Sequence, residues 1–346
     1  MVTPELSTAE RRLLTVLQGA FPLTSCPFAS LAEGQPGWSE DDVLDHIAAL
    51  KQDGAIRQIG AIFDTRRLGY ASTLACARVA PERLDAVAQA INQHPGVSHN
   101  YGRDHAFNLW FTLAVPPGRD IEREVRALVD QPGVSGFLLL PQVRTFKLRV
   151  QFDLGEGIED ATEVTKDHAS DVEAPFDPQD IPLVRILQQD LPLVQRPFAA
   201  LAQGSFFDEM QLLNGARRLL EQGIIRRYAA ILRHRRVGYA VNAMACWEVA
   251  QEGLLQAGRR AAEHPAVSHC YERVAYPPTW PYQLFTMVHS QSEEELQRIL
   301  STLQDDIRPR QTAILRTVQE YKKVRLRYFE PTHEAEKGKG DGHQEP

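Results

Sequence analysis

The sequence predicts an α+β fold: tandem copies of a winged helix-turn-helix domain, each followed by a ferredoxin-like β-α-β-β-α-β domain. Three observations lead there. The 346 residues are 43% apolar and 24% charged, enough to bury two domain-sized cores. The two ends of the chain repeat one another. Each copy reads as three short helices, then strand and helix periods in one fixed order.

The repeat is direct. IRQIGAIFDTRRLGYA (56–71) and IRRYAAILRHRRVGYA (225–240) agree at nine of sixteen positions at an offset of 169. HPGVSHNYGR (94–103) and HPAVSHCYER (264–273) agree at seven of ten at an offset of 170. Pro27-Phe28-Ala29 recurs as Pro197-Phe198-Ala199. A period of this length is a duplicated or fused domain, not a solenoid.

Residues 8–17 and 181–189 have helical spacing, each Pro-Phe turn opens a second helix, and 40–50 or 207–220 gives a third, ended by Gly54 or Gly223. Then 56–62 and 224–232 leave helical period and reach turns at Leu68-Gly69 and Val237-Gly238, which predicts a small hairpin or wing. Strand 74–79, helix 82–93, strands 97–103 and 107–115, helix 120–129 and strand 137–150 complete the first copy; 254–263 and 292–303 are the helices of the second. The expected organisation is helix-turn-helix with wing at 1–70, ferredoxin-like domain at 71–150, linker at 151–180, second helix-turn-helix at 181–239, second ferredoxin-like domain at 240–330 and a disordered tail at 331–346.

The net charge of −7 conceals an acidic segment, 151–180, with ten acids against Lys166; the rest of the chain is +2, suited to an anionic ligand. Apolar runs fall short of the roughly 18–20 residues that cross a bilayer, and residues 1–12 lack a signal-peptide layout, so a cytoplasmic protein is expected. Cys26, Cys76, Cys246 and Cys270 are too dispersed for a zinc knuckle or a disulfide scaffold.

Helix-turn-helix shape suggests DNA, but the third helices do not. Residues 39–54 set Glu40, Asp41, Asp42, Asp45 and Asp53 against Lys51, and 206–223 sum to −1. A groove-reading helix needs cations near its start. No specific DNA partner is expected.

Chemistry concentrates on one strand. Alternation puts His99, Tyr101 and Arg103 on one face, about 7 Å apart. His269, Tyr271 and Arg273 repeat the row, whereas Asn100/Cys270 and Gly102/Glu272 differ between copies. An imidazole, a phenol and a guanidinium in line can protonate or ligate, hydrogen-bond and clamp a carboxylate; the same row would also serve as a sheet face satisfied by neighbours. A basic cluster, Arg57, Arg66-Arg67, Arg226 and Arg235-Arg236, flanks the predicted wings, and Lys147, Arg149, Lys322, Lys323, Arg325 and Arg327 stand on the last strands. So many cations suit an anion with several carboxylates or phosphates.

The loop after Arg273 is five residues longer than that after Arg103 and carries three prolines with Tyr276, Trp280 and Tyr282, a candidate cover for a flat aromatic ligand. His105 and His289 are further imidazoles, ordinary polar residues when taken singly.

The three-helix unit with β-α-β-β-α-β resembles the Lrp/AsnC architecture. The runs GAIFDTRRLGYAS (60–72), AAILRHRRVGYAV (229–241), VSHNYGRDHAFNLWFTL (97–113) and VSHCYERVAYPPTWPYQLFTMVHS (267–290) resemble the siroheme decarboxylases, in which two such subunits pair or are fused. The resemblance implies loss of CO2 from the C12 and C18 acetates of siroheme, giving 12,18-didecarboxysiroheme, in a pseudo-heterodimer made by one chain or a higher oligomer of it, with no cofactor beyond the iron-tetrapyrrole substrate. With such a substrate the two rows are the candidates for catalysis, and Arg57, Arg66, His105, Arg226, Arg235 and Trp280 the candidates for substrate binding. Arginine offers bidentate bonds to acetate and propionate, and His or Tyr the proton that replaces CO2. His99, His105 or His269 could instead ligate the iron. A tetrapyrrole-sensing regulator, or a non-catalytic partner of a separate decarboxylase subunit, are the alternatives.

Overall fold

The computed structural model describes residues 7–19, 21–148, 176–232 and 241–330. In the first copy α1 (Thr8–Gly19), α2 (Pro27–Glu33) and α3 (Glu40–Gln52) lead to β1 (Ile56–Phe63), β2 (Ala71–Val79), α4 (Leu84–Asn92), β3 (Val97–Arg103), β4 (Leu109–Val115), α5 (Ile121–Val129), β5 (Val134–Leu140) and β6 (Gln142–Leu148). The second repeats this as α6 (Ile181–Leu187), α7 (Pro197–Ala202), α8 (Glu209–Glu221), β7 (Ile225–Leu232), β8 (Val241–Glu248), α9 (Leu254–Glu263), β9 (Val267–Arg273), β10 (Leu284–Ser290), α10 (Glu293–Ile307) and β11 (Gln311–Lys323).

Local chemistry sets these limits. Pro27 and Pro197 open α2 and α7, where no helical N–H is missed. Ser39 and Asp208 form capping boxes with Asp42 and Gln211, so the acids of α3 serve its own N-terminus. Gly54 and Gly223, at φ 74° and 68°, take the left-handed turn that ends the third helices.

The two helical units share one core, in which Leu13, Leu17, Phe28 and Ile47 meet Leu187, Phe198, Leu212 and Leu219. No separate wing forms from β1. It pairs antiparallel with β7 of the other copy, Ala61 opposite Tyr228, and the turn expected at Val237-Gly238 lies outside the described residues. The period had shown strands but not their partners.

The last strand of the first copy also departs from expectation. Residues 137–150 were read as one strand, but Pro141 divides β5 from β6. Proline cannot donate to a ladder, and the chain crosses here: β5 pairs with β2 of its own copy and β6 with β9 of the other. β11 does both jobs unbroken, against β8 and then β3. The order is therefore β5-β2-β4-β3-β11-β8-β10-β9-β6, whose two ends meet at Pro141. The crossing fits closely, since a Cβ added at Gly258 of α9 would lie 2.3 Å from the Phe146 ring of β6.

Separate cores lie beneath the helices of each copy. A further core is built from both copies, with Cys76, Trp110 and Leu140 against Cys246, Trp280, Phe285 and Leu315. The acidic segment expected at 151–180 ends early. Phe176 stacks on Phe329 at 5.5 Å, and Asp180 receives both terminal nitrogens of Arg218 at 2.9 and 2.6 Å. The stretch 151–175 and the tail 331–346 lie outside the described residues.

Candidate active site

β3 and β9 carry the two rows to the seams between copies, where β11 and β6 flank them. The imidazole and phenol rings are 6.1 Å apart for His99 and Tyr101 and 6.0 Å for His269 and Tyr271. Arg103 and Arg273 each lie 5.2 Å over the tyrosine of their own row. The intervening residues face the helices: Asn100 donates to the Ala88 carbonyl at 3.1 Å, and the Cys270 thiol contacts that of Gly258 at 3.6 Å. The alternation read from sequence therefore holds for all six row residues.

One local irregularity matters. Register shifts at Ser98 in β3 and opposite Ser268 in β9 are bulges, the device by which a strand re-aims a side chain. Each serine hydroxyl thereby reaches the Nδ1 of its neighbour, at 3.0 Å for Ser98–His99 and 2.8 Å for Ser268–His269. The row pattern says nothing of these serines, and the signal for them was the V-S-H triplet kept in both copies.

Arg103 and Arg273 act as ties across the seam. The first donates through one terminal nitrogen to the Leu315 carbonyl at 3.3 Å and Thr317 Oγ1 at 2.7 Å, the second to the Leu140 carbonyl at 2.6 Å. Both Nε atoms are buried without a partner. Burial pushes the Arg103 pKa down and that of Arg273 to about 10. A buried guanidinium with an unsatisfied Nε is costly, and an anion at the row would offset that cost.

The basic cluster divides between the seams. Arg57 reaches the β11 backbone, donating to the Lys323 carbonyl at 3.3 Å, and stands by His99. Burial first, then the charges of Lys323 and Arg57, hold the His99 pKa down at about 4. Arg226 and Arg66 act on the other row, opposing the burial that raises the Tyr271 pKa. Arg226 is already engaged, since Asp64 Oδ2 accepts from its Nε at 3.1 Å and its terminal nitrogen at 2.6 Å. In the second copy the position of Asp64 is Arg233, so Arg57 has no matching acid. Arg235 lies outside the described residues.

Other cations are spent on structure. Lys147 donates to the His264 carbonyl at 2.9 Å and Lys322 to that of Asn92 at 2.6 Å, each capping a helix end of the opposite copy. Arg149 lies outside the described residues.

Two expectations about the ligand cover are corrected. Trp280 is 0% exposed and packs on Trp110 at 5.2 Å in the shared core, because the long loop folds inward as a clasp. Tyr276, on the same loop, donates to the Leu139 carbonyl across the seam at 2.6 Å. His105 serves that core too, accepting from the Phe107 N–H at 3.0 Å and meeting Trp280 edge-on at 5.4 Å. Sequence counted aromatic rings on the loop but not the hydrophobic wall available to bury them.

His289, read singly as ordinary, is the residue that sequence missed. Its Nε2 is 2.8 Å from the Ser268 hydroxyl, which also touches His269. Burial, and the charge of Lys323 after it, hold its pKa down at about 4. The first copy has Ala114 at this position, and Ser98 meets the Thr112 hydroxyl at 2.8 Å instead. Among the described residues no cluster of three or more metal-ligating side chains occurs, and no helix is long and apolar enough to cross a membrane.

Comparison with known proteins converges. The AsnC-like ligand binding domain matches residues 67–147 and 236–322, and the siroheme decarboxylase NirDL-like HTH domain matches 10–57 and 180–226. A siroheme decarboxylase of Hydrogenobacter thermophilus is 39% identical over 92% of this chain and 94% of its own. The siroheme decarboxylase NirDL subunit of Paracoccus denitrificans is 34% identical over 84% of this chain and 87% of its own. The crystal structure of the siroheme decarboxylase NirDL in co-complex with an iron-uroporphyrin III analogue matches with a TM-score of 0.72 at 34% identity, over 92% of this chain and 94% of that one.

Proposed function

The chain belongs to the siroheme decarboxylase family, and on that premise we propose that it removes the carboxyl groups of the C12 and C18 acetates of siroheme, yielding 12,18-didecarboxysiroheme. One observation carries the assignment to these residues: each seam sets a His–Tyr row beside a guanidinium from the paired strands β1 and β7, Arg57 by His99 and Arg226 by Tyr271. Peripheral carboxylates of the tetrapyrrole suit Arg57, Arg66 and Arg226 in charge-assisted bonds.

In each step the bond between the acetate methylene and its carboxylate breaks, CO2 leaves, and the electron pair stays on the methylene carbon, delocalised into the macrocycle. A proton from the row closes the C–H bond of the new methyl group. The donor is the imidazole of the row, whose Nδ1 stands within hydrogen-bond reach of a serine hydroxyl able to replace the proton it gives up. His99 is held neutral at pH 7 by burial and by Lys323 and Arg57. Acetates arriving among those cations offset them and restore its affinity for a proton.

The reaction as proposed uses no organic cofactor beyond the iron-tetrapyrrole itself, takes place in the cytoplasm, and involves no DNA. Anaerobic incubation of the purified chain with siroheme, followed by product mass, is the test. Loss of two CO2 per macrocycle is expected. Persistence of the substrate mass in reactions lacking any added cofactor overturns the assignment.

A further inference from the structure

We propose that Ser268 and His289 form a proton line that resupplies His269, and that the C-terminal row is thereby the one that protonates product repeatedly. The inference rests on the decarboxylase reading above and adds two positioning residues to it. Its basis is geometry found in one copy only. Three polar atoms stand in series, His289 Nε2 to Ser268 Oγ at 2.8 Å and Ser268 Oγ to His269 Nδ1 at 2.8 Å. The remaining contact of that hydroxyl, to the Met287 carbonyl, is long at 3.4 Å and does not compete well. In the first copy the series runs from His99 to Ser98 to Thr112 and ends there, because Ala114 replaces His289.

The step balances with neutral groups. His269 begins with its proton on Nε2, so that Nδ1 accepts from the Ser268 hydroxyl, while His289 donates to that hydroxyl from Nε2. When Nε2 of His269 gives its proton to the substrate carbanion, Nδ1 takes the serine proton. The serine takes the Nε2 proton of His289, and His289 takes one from water at Nδ1. One proton enters, one leaves, water is left as hydroxide, and each imidazole ends as its other tautomer. As product departs, His269 takes a proton from water at the vacated Nε2 while its Nδ1 proton returns through Ser268 to His289 Nε2 and the Nδ1 proton of His289 neutralises the hydroxide, which restores both tautomers for the next acetate. No imidazolium is required, which matters because burial and Lys323 disfavour a charged His289. His289 is 8% exposed and stands two residues before the exposed Gln291, close to the surface from which a proton must come.

Two kinds of measurement test the line in the full chain. With 15N-labelled histidine, wild type should show His269 in the Nε2–H form with its Nδ1 accepting a hydrogen bond. Ser268→Ala should move it toward a mixture of tautomers, and Ser268→Thr should restore it. In single turnovers with siroheme, Ser268→Ala and His289→Gln should slow formation of the methyl product at least tenfold, with siroheme affinity within twofold and a larger solvent deuterium isotope effect. Ser268→Thr should recover most of the rate. Unchanged turnover and isotope effect in both Ser268→Ala and His289→Gln, beside an active wild type, overturn the line and leave the decarboxylase reading standing. A wild type that releases no CO2 sinks that reading, and a His269 tautomer indifferent to Ser268 sinks the line without any turnover.

Discussion

Asp64, in the turn after β1, holds the Arg226 guanidinium of the other copy at 2.6 Å, whereas Arg57, the equivalent of Arg226, donates to a backbone carbonyl and, among the described residues, has no acid at that place. The two seams therefore differ in free positive charge although their rows match. Asp64 also caps its own turn, accepting from the N–H groups of Arg66 and Arg67 at 2.9 and 3.2 Å. Asp64→Asn keeps that cap and removes the charge. It should lower stability by about 1–2 kcal/mol, read by denaturant melting, and tighten siroheme binding by releasing Arg226. Unaltered stability and affinity would show the pair to be inert.

Arg57→Ala should weaken siroheme binding about tenfold, a loss of roughly 1.4 kcal/mol, and more than Arg226→Ala does. It should also raise the His99 pKa, since one of the two cations depressing it is gone. Spectral titration gives the first and imidazole NMR the second. An unmoved His99 resonance would separate Arg57 from the row.

His269→Ala should cost at least tenfold more turnover than His99→Ala, with siroheme still bound in both. Equal and negligible losses would remove both rows from the chemistry.

Acid should destabilise the protein in a defined window. His99 and His289 are held at about 4 against 6.5 for a free imidazole. Between those values the unfolded chain binds more protons than the folded one, so stability rises with pH there. It is fully present above about pH 6.5 and is lost as pH falls through 4. Denaturant melts at pH 7.5, 6 and 5 should show the decline, and His289→Gln should flatten it. A melt independent of pH in that range would contradict both burials.

Specific DNA binding should be absent. The first turn of α3 carries Glu40, Asp41 and Asp42, and Ser39 and Asp42 are committed to its cap. Anisotropy at about 0.1 M salt with promoter fragments should find no nanomolar complex.

Helix limits, most of the succession of elements along the chain and both His–Tyr–Arg rows were legible in the sequence because period and punctuation are local properties. Partners across the seam were not. Nothing local says that β1 takes β7, that Pro141 hands the chain from one end of the sheet to the other, or that Lys147 caps a helix 117 residues away. The bulge at Ser268 escaped for a related reason: strict alternation has no place for an extra residue, so the serine beside a catalytic candidate went unread. His289 was visible as a letter but acquired meaning only when its neighbour turned toward it.

The crossing at Pro141 also bears on how the chain is made. β1, β3 and β6 leave the ribosome with partners still to be synthesised, so the first copy spends that interval with open strand edges, the condition that invites association with other chains. Joining the copies in one polypeptide answers that hazard by concentration. The second copy arrives tethered, at an effective concentration on the order of millimolar, and reaches those edges before a stranger can. Two separately made subunits with the same seams would have to find each other by diffusion, and at low abundance the fused chain keeps an assembly that they would lose.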